Sequence, residues 1–388
     1  MHDAACVMRS TLVLLNYFLI ISIIYKTKYI CINIAKKMAE MKSSTLKPVQ
    51  EILRSGVVPE NYIQPKDEYE VGDGFVPLMD DLTIDFSLLS SSSSSSSSSP
   101  EELTKLRSAL SSWGCAQLVN HGMPSTLLDE VQEMGKKFFT LPLEEKEKYS
   151  SKGNSLEGYG NDNTIREGSF NWNDKLHLQV YPFCKLGYWP GKPEKFRITL
   201  QEYSIKTMIL LETILKAMAR SLNIEEKSFF ELWGNDEEDT LHARFNFYPR
   251  CPSPDQVIGL KPHGDGTVIT ILLQDKEVEG LRILKDNRWF RVPIIPEAIV
   301  IHVGDLIEIA SNGIFKSPTH KVVINPKYDR ISLAMLPLPN PDKEIGPLKE
   351  LVTDERPQLY KRLKDYGQVY FQYISSGKRQ INFVKNNY

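Results

Sequence analysis

Leu241–Pro249 reads LHARFNFYP, and its alternation changes the period of the chain. Leu241, Ala243, Phe245 and Phe247 fall on one side; His242, Arg244, Asn246 and Tyr248 fall on the other. Successive strand residues point to opposite faces, so a period of two predicts a strand with one apolar and one polar face. Upstream, from about Arg197 to Leu222, apolar residues recur at helical spacing instead. Downstream, short strand-like runs continue: VITILLQ (268–274), GLRIL (280–284), WFRVP (289–293), AIVIHVGD (298–305), HKVVIN (320–325) and RISLAMLPL (330–338). Asp286 and Asn287 supply a hairpin turn between the second and third. Closely spaced short strands with turn residues between them predict a sandwich or barrel, here flanked by helices.

The N-terminal half is mixed. Val49–Arg54 is a short helical candidate, and LTIDFSLL (Leu82–Leu89) has the β-branched alternation of a strand. Ten serines, Ser90–Ser99, then interrupt the chain and read as a flexible loop insertion, since they offer no apolar surface to bury. Ser99, Pro100, Glu101 and Glu102 form a capping box with proline at the first helical position. Leu103, Leu106, Leu110 and Trp113 continue it as one apolar stripe. A second amphipathic helix starts at Ser125, with Leu128, Val131, Met134 and Phe138 on one side, and a last helix is predicted over about Pro357–Ser375.

Bulk properties exclude several classes. A formal charge of −2 over 388 residues gives no basic field for nucleic acid or an anionic membrane. Five scattered cysteines without CxxC spacing argue against a disulfide framework or a zinc ribbon and fit a reducing, cytoplasmic compartment. The apolar run before Lys26 is too short to span a bilayer. Residues 1–37 read as a leader or a mis-assigned start, with Met38 as the natural beginning. The expected organisation is an arm over 38–80, an N-terminal region over 81–190, a helical connection over 191–237, a catalytic barrel over 238–345, and a C-terminal helix and tail over 346–388.

The stretch LKPHGDGTVITILLQ (Leu260–Gln274) places His263 and Asp265 two apart, hence on one face of a strand. Two histidines and one carboxylate form the facial donor set of non-haem iron, which leaves other coordination positions open. His320, at the start of HKVVIN, is the expected third ligand. His302 competes, but it sits mid-strand and reads as an imidazole bonded within a sheet. His121 and His242 read as structural. Two further pairs share the strand spacing: Arg330 with Ser332, and Asn246 with Tyr248. An arginine on a core strand needs an anion, because a buried unpaired charge is costly. A dicarboxylate such as 2-oxoglutarate fits, its keto acid on the metal and its far carboxylate on Arg330, Ser332 and Tyr248.

The sequence resembles the plant iron(II)- and 2-oxoglutarate-dependent dioxygenases of specialised metabolism, in the codeine O-demethylase-like subgroup. WGCAQLVNHGM, FFTLPLEEKEKY, EGYG, NFYPRCP, LKPHGDGTVITILLQ, VGDLIEIASNGIFKSPTHKVV and RISLAM carry the resemblance, which covers roughly Val49 to Val384. It implies a double-stranded β-helix (jelly-roll, cupin-like) core with a helical N-terminal region. It also implies Fe(II) on His263, Asp265 and His320, and 2-oxoglutarate on Arg330, Ser332 and Tyr248 with Asn246 near the chelating end. Dioxygen as co-substrate, ascorbate as reductant and a monomeric state follow from the same resemblance. Departures are Arg250 for a usual proline, Cys115 for an aromatic residue, and His302 where asparagine is common.

The implied reaction is hydroxylation or oxidative O-demethylation of a small flavonoid, alkaloid or related phenolic. Candidate lining segments are Glu157–Asn163, Trp172–Leu178, Leu336–Asp342 and the C-terminal helix, with Tyr159, Trp172 and Phe371 as candidate stacking residues. A zinc or manganese hydrolase on the same ligands would have no use for Arg330 and Ser332. A degenerate jelly-roll that only binds a small molecule should have lost ligand residues, and all three are present.

Overall fold

The alternation of Leu241–Tyr248 recurs on its neighbours and builds one wall of a barrel. The computed structural model describes residues 47–54, 56–64, 76–90, 99–152, 155–161, 169–234, 236–374 and 379–386, apart from the side chains of 371–374. Residues 1–37 and most of the serine tract lie outside that set. Residues 48–388 form one unit. Its larger sheet contains β1 (Thr83–Asp85), β2 (Cys115–Val119), β3 (Gly158–Gly160), β4 (Asp174–Tyr181), β5 (Thr240–Tyr248), β7 (Ile269–Leu273), β10 (Ile299–Val303) and β12 (Arg330–Leu338). Their order is β1-β2-β10-β7-β12-β5-β4-β3. The smaller sheet holds β6 (Leu260–His263), β8 (Leu281–Lys285), β9 (Arg288–Arg291) and β11 (Thr319–Val322), in the order β6-β11-β8-β9.

The period-two pattern divides the large sheet. Leu241, Ala243 and Phe245 of β5, Ile269, Ile271 and Leu273 of β7, Ile299 and Ile301 of β10, and Ile331, Leu333 and Met335 of β12 all join one buried cluster. Leu128, Val131 and Phe138 of the helix Ser125–Thr140 and Leu211 and Ile214 of the helix Phe196–Ser221 complete that cluster. Each such side chain contributes roughly 1.5–3 kcal/mol by leaving water. Gly135 lets the first helix approach, since a Cβ there would overlap the Phe245 ring and the Ile331 side chain. The alternate residues face the smaller sheet, where Leu272, Val300 and Ala334 pack with Leu281 and Ile283. Two sheets closing on a lined interior form the jelly-roll core expected from the sequence, with helices covering its outer wall.

Several elements differ from expectation for local reasons. Leu82–Leu89 is a three-residue strand followed by a 3-10 turn, Phe86–Leu88. The Asp85 carboxylate accepts from the Ser87 N–H at 3.0 Å and from its hydroxyl at 2.6 Å, which turns the chain. The last helix is Tyr366–Ile374, not a longer one from Pro357. Asn312 takes the backbone groups of Pro357 and Leu359, and isolated bridges pair Leu363 with Ile345 and Tyr360 with Lys385. The β8–β9 hairpin turns as expected, through positive φ at Asp286 and Asn287. Only half of the capping box forms: the Ser99 hydroxyl accepts from the Glu102 N–H, but the Glu102 carboxylate accepts from the Asp85 N–H at 2.8 Å and the Ser99 N–H goes to the Leu88 carbonyl. Among the described residues no helix is long and apolar enough to cross a membrane.

Candidate active site

Two histidines meet across one strand pair. His263 ends β6 and is the register partner of His320 in β11, with ring centroids 4.2 Å apart. Asp265 extends its Oδ1 to 3.6 Å from Nε2 of His263 and 3.7 Å from Nε2 of His320. The three ligand atoms all lie within 4.8 Å of one another. Strand pairing stops at His263, so Asp265 reaches the site from a turn, not by the strand spacing predicted for the pair. That turn is pinned by the Asp305 N–H, which donates to the Asp265 carbonyl at 2.8 Å. Gly264 and Gly266 keep it slim: side chains there would overlap Arg379 and the Tyr370 ring of the C-terminal segment.

Hydrogen bonding fixes which nitrogen of each ring faces inward. Nδ1 of His263 lies 2.7 Å from the Lys261 carbonyl and Nδ1 of His320 lies 3.3 Å from the Pro318 carbonyl. A carbonyl only accepts, so each Nδ1 carries a proton, and in the neutral ring Nε2 then presents a lone pair. Burial holds the His320 pKa well below its ordinary value, against the pull of Asp265. Burial would raise the Asp265 carboxyl, but the imidazoles of His320, His302 and His263 together hold it far below the usual range. Neutral imidazole and ionised carboxylate are the forms that bind a metal, so the donor set fits a divalent ion with open positions.

The second cluster is also built by register. Arg330 lies opposite Tyr248 and Ser332 opposite Asn246 on the β12–β5 ladder. All four are buried. Arg330 donates from Nε to the Val278 carbonyl at 3.1 Å, while its Nη1 has no hydrogen-bond partner among the described residues. A Cβ on Gly280 would press on the Arg330 side chain, so glycine leaves room for it. Burial lowers the Arg330 pKa from its ordinary value, opposed by Tyr248 and Asp275. An orphaned guanidinium N–H in a dry pocket suits a carboxylate ligand.

Both clusters open on one cavity of about 600 Å³, a size suited to a small organic molecule. Its apolar lining includes Leu156, Leu336, Pro341 and Ile345, and its polar lining includes His177 and Arg244. The family model described as the 2OG-Fe(II) oxygenase superfamily matches residues 238–336, and that of the non-haem dioxygenase in morphine synthesis N-terminal region matches residues 83–195. Jasmonate-induced oxygenase 4 of Arabidopsis thaliana is 34% identical over 341 residues, covering 86% of this chain and 95% of the relative. The chain belongs to the 2OG-Fe(II) oxygenase superfamily. Codeine O-demethylase of Papaver somniferum is 39% identical to this oxygenase over 266 residues, covering 67% of this chain and 73% of the relative. The crystal structure of JOX2 in complex with 2OG, Fe and JA superposes with a TM-score of 0.78 at 30% identity, covering 88% and 98% of the two chains. The oxygenase is thus an oxidoreductase of the iron- and 2-oxoglutarate-dependent class with a jelly-roll core.

Not every residue singled out from sequence reaches the cavity of this oxygenase. Tyr159 is packed among Phe138 and Phe139, and Trp172 stands behind Tyr248 beside Tyr62, its Nε1 donating to the Pro249 carbonyl at 3.0 Å. Both are core aromatics that do not line the cavity. Phe371 falls in the last helix, but its side chain is outside the described set. Tyr366 and Tyr370 of that helix do line the cavity, as do Leu336, Leu338 and Pro339 from the expected segment. The His302 ring has no hydrogen-bond partner among the described residues, contrary to the sheet-bonded imidazole expected, and it sits on the cavity face of β10, opposite the buried Ile301 and Val303. His121 and His242 are held by structural hydrogen bonds, to the Glu297 carbonyl and to His177 and Thr240.

Proposed function

We propose that this oxygenase holds one ferrous ion on His263, Asp265 and His320 and receives 2-oxoglutarate on Arg330, Ser332, Tyr248 and Asn246. It then oxidises a small plant specialised metabolite, a flavonoid, alkaloid or related phenolic, by hydroxylation or oxidative O-demethylation. Ascorbate serves as reductant, and the protein acts as a cytoplasmic monomer. The observation that carries this reading is the convergence, in one cavity, of a two-histidine and carboxylate triad with an arginine whose buried Nη1 has no hydrogen-bond partner among the described residues.

When bound, iron, dioxygen and 2-oxoglutarate supply the oxidation: C–H, O₂ and 2-oxoglutarate become C–OH, succinate and carbon dioxide. The chain supplies placement. Asp265 brings the negative charge and the two imidazoles bring neutral donors, so the triad partly neutralises a dication. Arg330 offers a cation to the far carboxylate, Ser332 and Tyr248 offer hydroxyls beside it, and Asn246 faces Ser332 across the ladder. Leu156, Leu336, Pro341 and Ile345 exclude water from the substrate space. The substrate carbon decides the product. A ring or chain carbon keeps its hydroxyl, whereas a methoxy carbon becomes a hemiacetal that loses formaldehyde.

Purified protein incubated with Fe(II), ascorbate and 2-oxoglutarate should release succinate, and more of it with a substrate from a panel of methoxylated flavones and alkaloids. Products gaining an oxygen or losing a methylene by mass would separate the two outcomes. Absence of succinate under every condition would remove the proposal and favour a protein that only binds.

A further inference from the structure

His302 is a buried imidazole that the triad does not use. It is 1% exposed, on the cavity face of β10, between its register partners Cys115 on β2 and Thr270 on β7. Neither neighbour bonds to its ring; the Thr270 hydroxyl pairs with that of Thr267 at 3.1 Å. Both ring nitrogens lack a hydrogen-bond partner among the described residues. A buried polar atom without a partner is costly, so the ring calls for one.

A second orphan faces it. Oδ2 of Asp265 is buried without a hydrogen bond and lies 3.8 Å from Nδ1 of His302. The other oxygen, Oδ1, is the one near Nε2 of both His263 and His320. The carboxylate therefore has one oxygen turned toward the ligand imidazoles and the other toward His302. A separation of 3.8 Å is too long for a hydrogen bond, but moving closer by less than about 1 Å makes one, within reach of a small rotation of either side chain.

We propose that His302 is the positioning residue of the metal-binding carboxylate: its Nδ1–H donates to Oδ2 of Asp265 and so leaves Oδ1 as the single oxygen offered to the metal. This rests on the metal centre proposed above and adds a fourth side chain to it. A bond of this kind stops the carboxylate from turning to offer both oxygens, which preserves the open positions on the other side of the ion. His302 is not itself a ligand in this arrangement.

The test is Co(II) binding by the full-length protein, measured by competition with a chelator together with the visible spectrum of the bound ion. Wild type should bind one Co(II). His302→Leu should bind on the order of 10–100-fold more weakly with an altered spectrum, the usual cost of removing an outer-shell partner. His302→Asn, which keeps a donor N–H, should recover most of the affinity and the wild-type spectrum.

Equal affinity and spectra for wild type and His302→Leu would overturn the proposal while leaving the metal centre intact. Loss in His302→Asn as large as in His302→Leu would overturn it too, because the imidazole would then be acting as a ligand. Wild type that bound no Co(II) would remove the metal centre and this inference with it. Should His302→Leu fail to fold, nitrogen NMR of the histidine-labelled wild type with Zn(II) decides. A proton on Nδ1 of His302 supports the proposal, and a proton on Nε2 alone overturns it.

Discussion

Arg330 stands directly opposite Tyr248 across the β12–β5 ladder, its guanidinium carbon 5.3 Å from the centre of the phenol ring. The ring covers one side of the cation, and Nη1 has no hydrogen-bond partner among the described residues, which leaves it for the proposed co-substrate carboxylate. Arg330→Ala should therefore raise the 2-oxoglutarate KM by about 30-fold or more, corresponding to roughly 2 kcal/mol or more for a charge-assisted contact. Co(II) affinity should change only slightly. Steady-state kinetics over a range of 2-oxoglutarate concentrations reads the first, and chelator competition the second. An unchanged KM would place the co-substrate carboxylate elsewhere.

The proposed metal ligands should respond differently. His263→Ala or His320→Ala removes one of three donors, and both metal retention and succinate release should be lost together. Metal content after dialysis checks the first directly. A variant that kept stoichiometric metal would show that the removed imidazole is not a ligand.

Gly304 is constrained by contact. A Cβ there would overlap the Thr267 carbonyl oxygen, a backbone atom that cannot swing aside. Gly304→Ala should destabilise the fold by about 1–3 kcal/mol, the usual range for overpacking. It should also weaken metal binding, because the next residue, Asp305, holds the Asp265 turn by the 2.8 Å backbone bond. Urea unfolding should show a lowered midpoint with an unchanged slope, and a wild-type midpoint would contradict the close contact.

His242 gives a pH dependence of known sign. Burial lowers its pKa from 6.5 to about 4, with Glu157 opposing. Between those values the unfolded chain binds the proton and the folded chain does not, so acid favours unfolding. The contribution is complete above pH 6.5 and is lost as pH falls toward 4. Going from pH 7 to pH 5 should cost about 2 kcal/mol from this residue alone. Urea unfolding of wild type and His242→Gln at both values isolates it, and an equal loss in the two proteins would contradict the assignment.

The barrel was legible where side-chain alternation is a local property. The β5 and β12 alternations predict which residues face the helices and which face the cavity, and the structure follows that division except at His242, which bonds to His177 and Thr240 and does not line the cavity. Asn246, Tyr248, Arg330 and Ser332 stand together because both strands keep their period over the shared ladder. Position in space was harder to read. Tyr159 and Trp172 are aromatic residues near the right segments, but composition does not separate a cavity wall from a core, and both fill core. The last helix starts at Tyr366 because Asn312, some fifty residues earlier in the chain, takes the backbone of Pro357 and Leu359. His302 reads as an imidazole bonded in the sheet because its neighbours Ala298–Val303 are apolar on both faces, which marks a strand but not the face its one polar residue presents. The small polar turn holding Asp265 carries no strand pattern at all, yet it sets the donor geometry.

The proposed chemistry needs two adjacent seats, one for a metal and one for a diacid. Anaerobic titration calorimetry of 2-oxoglutarate into wild type, with and without one equivalent of Fe(II), tests both at once. One co-substrate site per chain is expected, tight only with the metal, lost in His320→Ala and weakened in Arg330→Ala. Binding of equal strength in all these cases, or none in metal-loaded wild type, would contradict it.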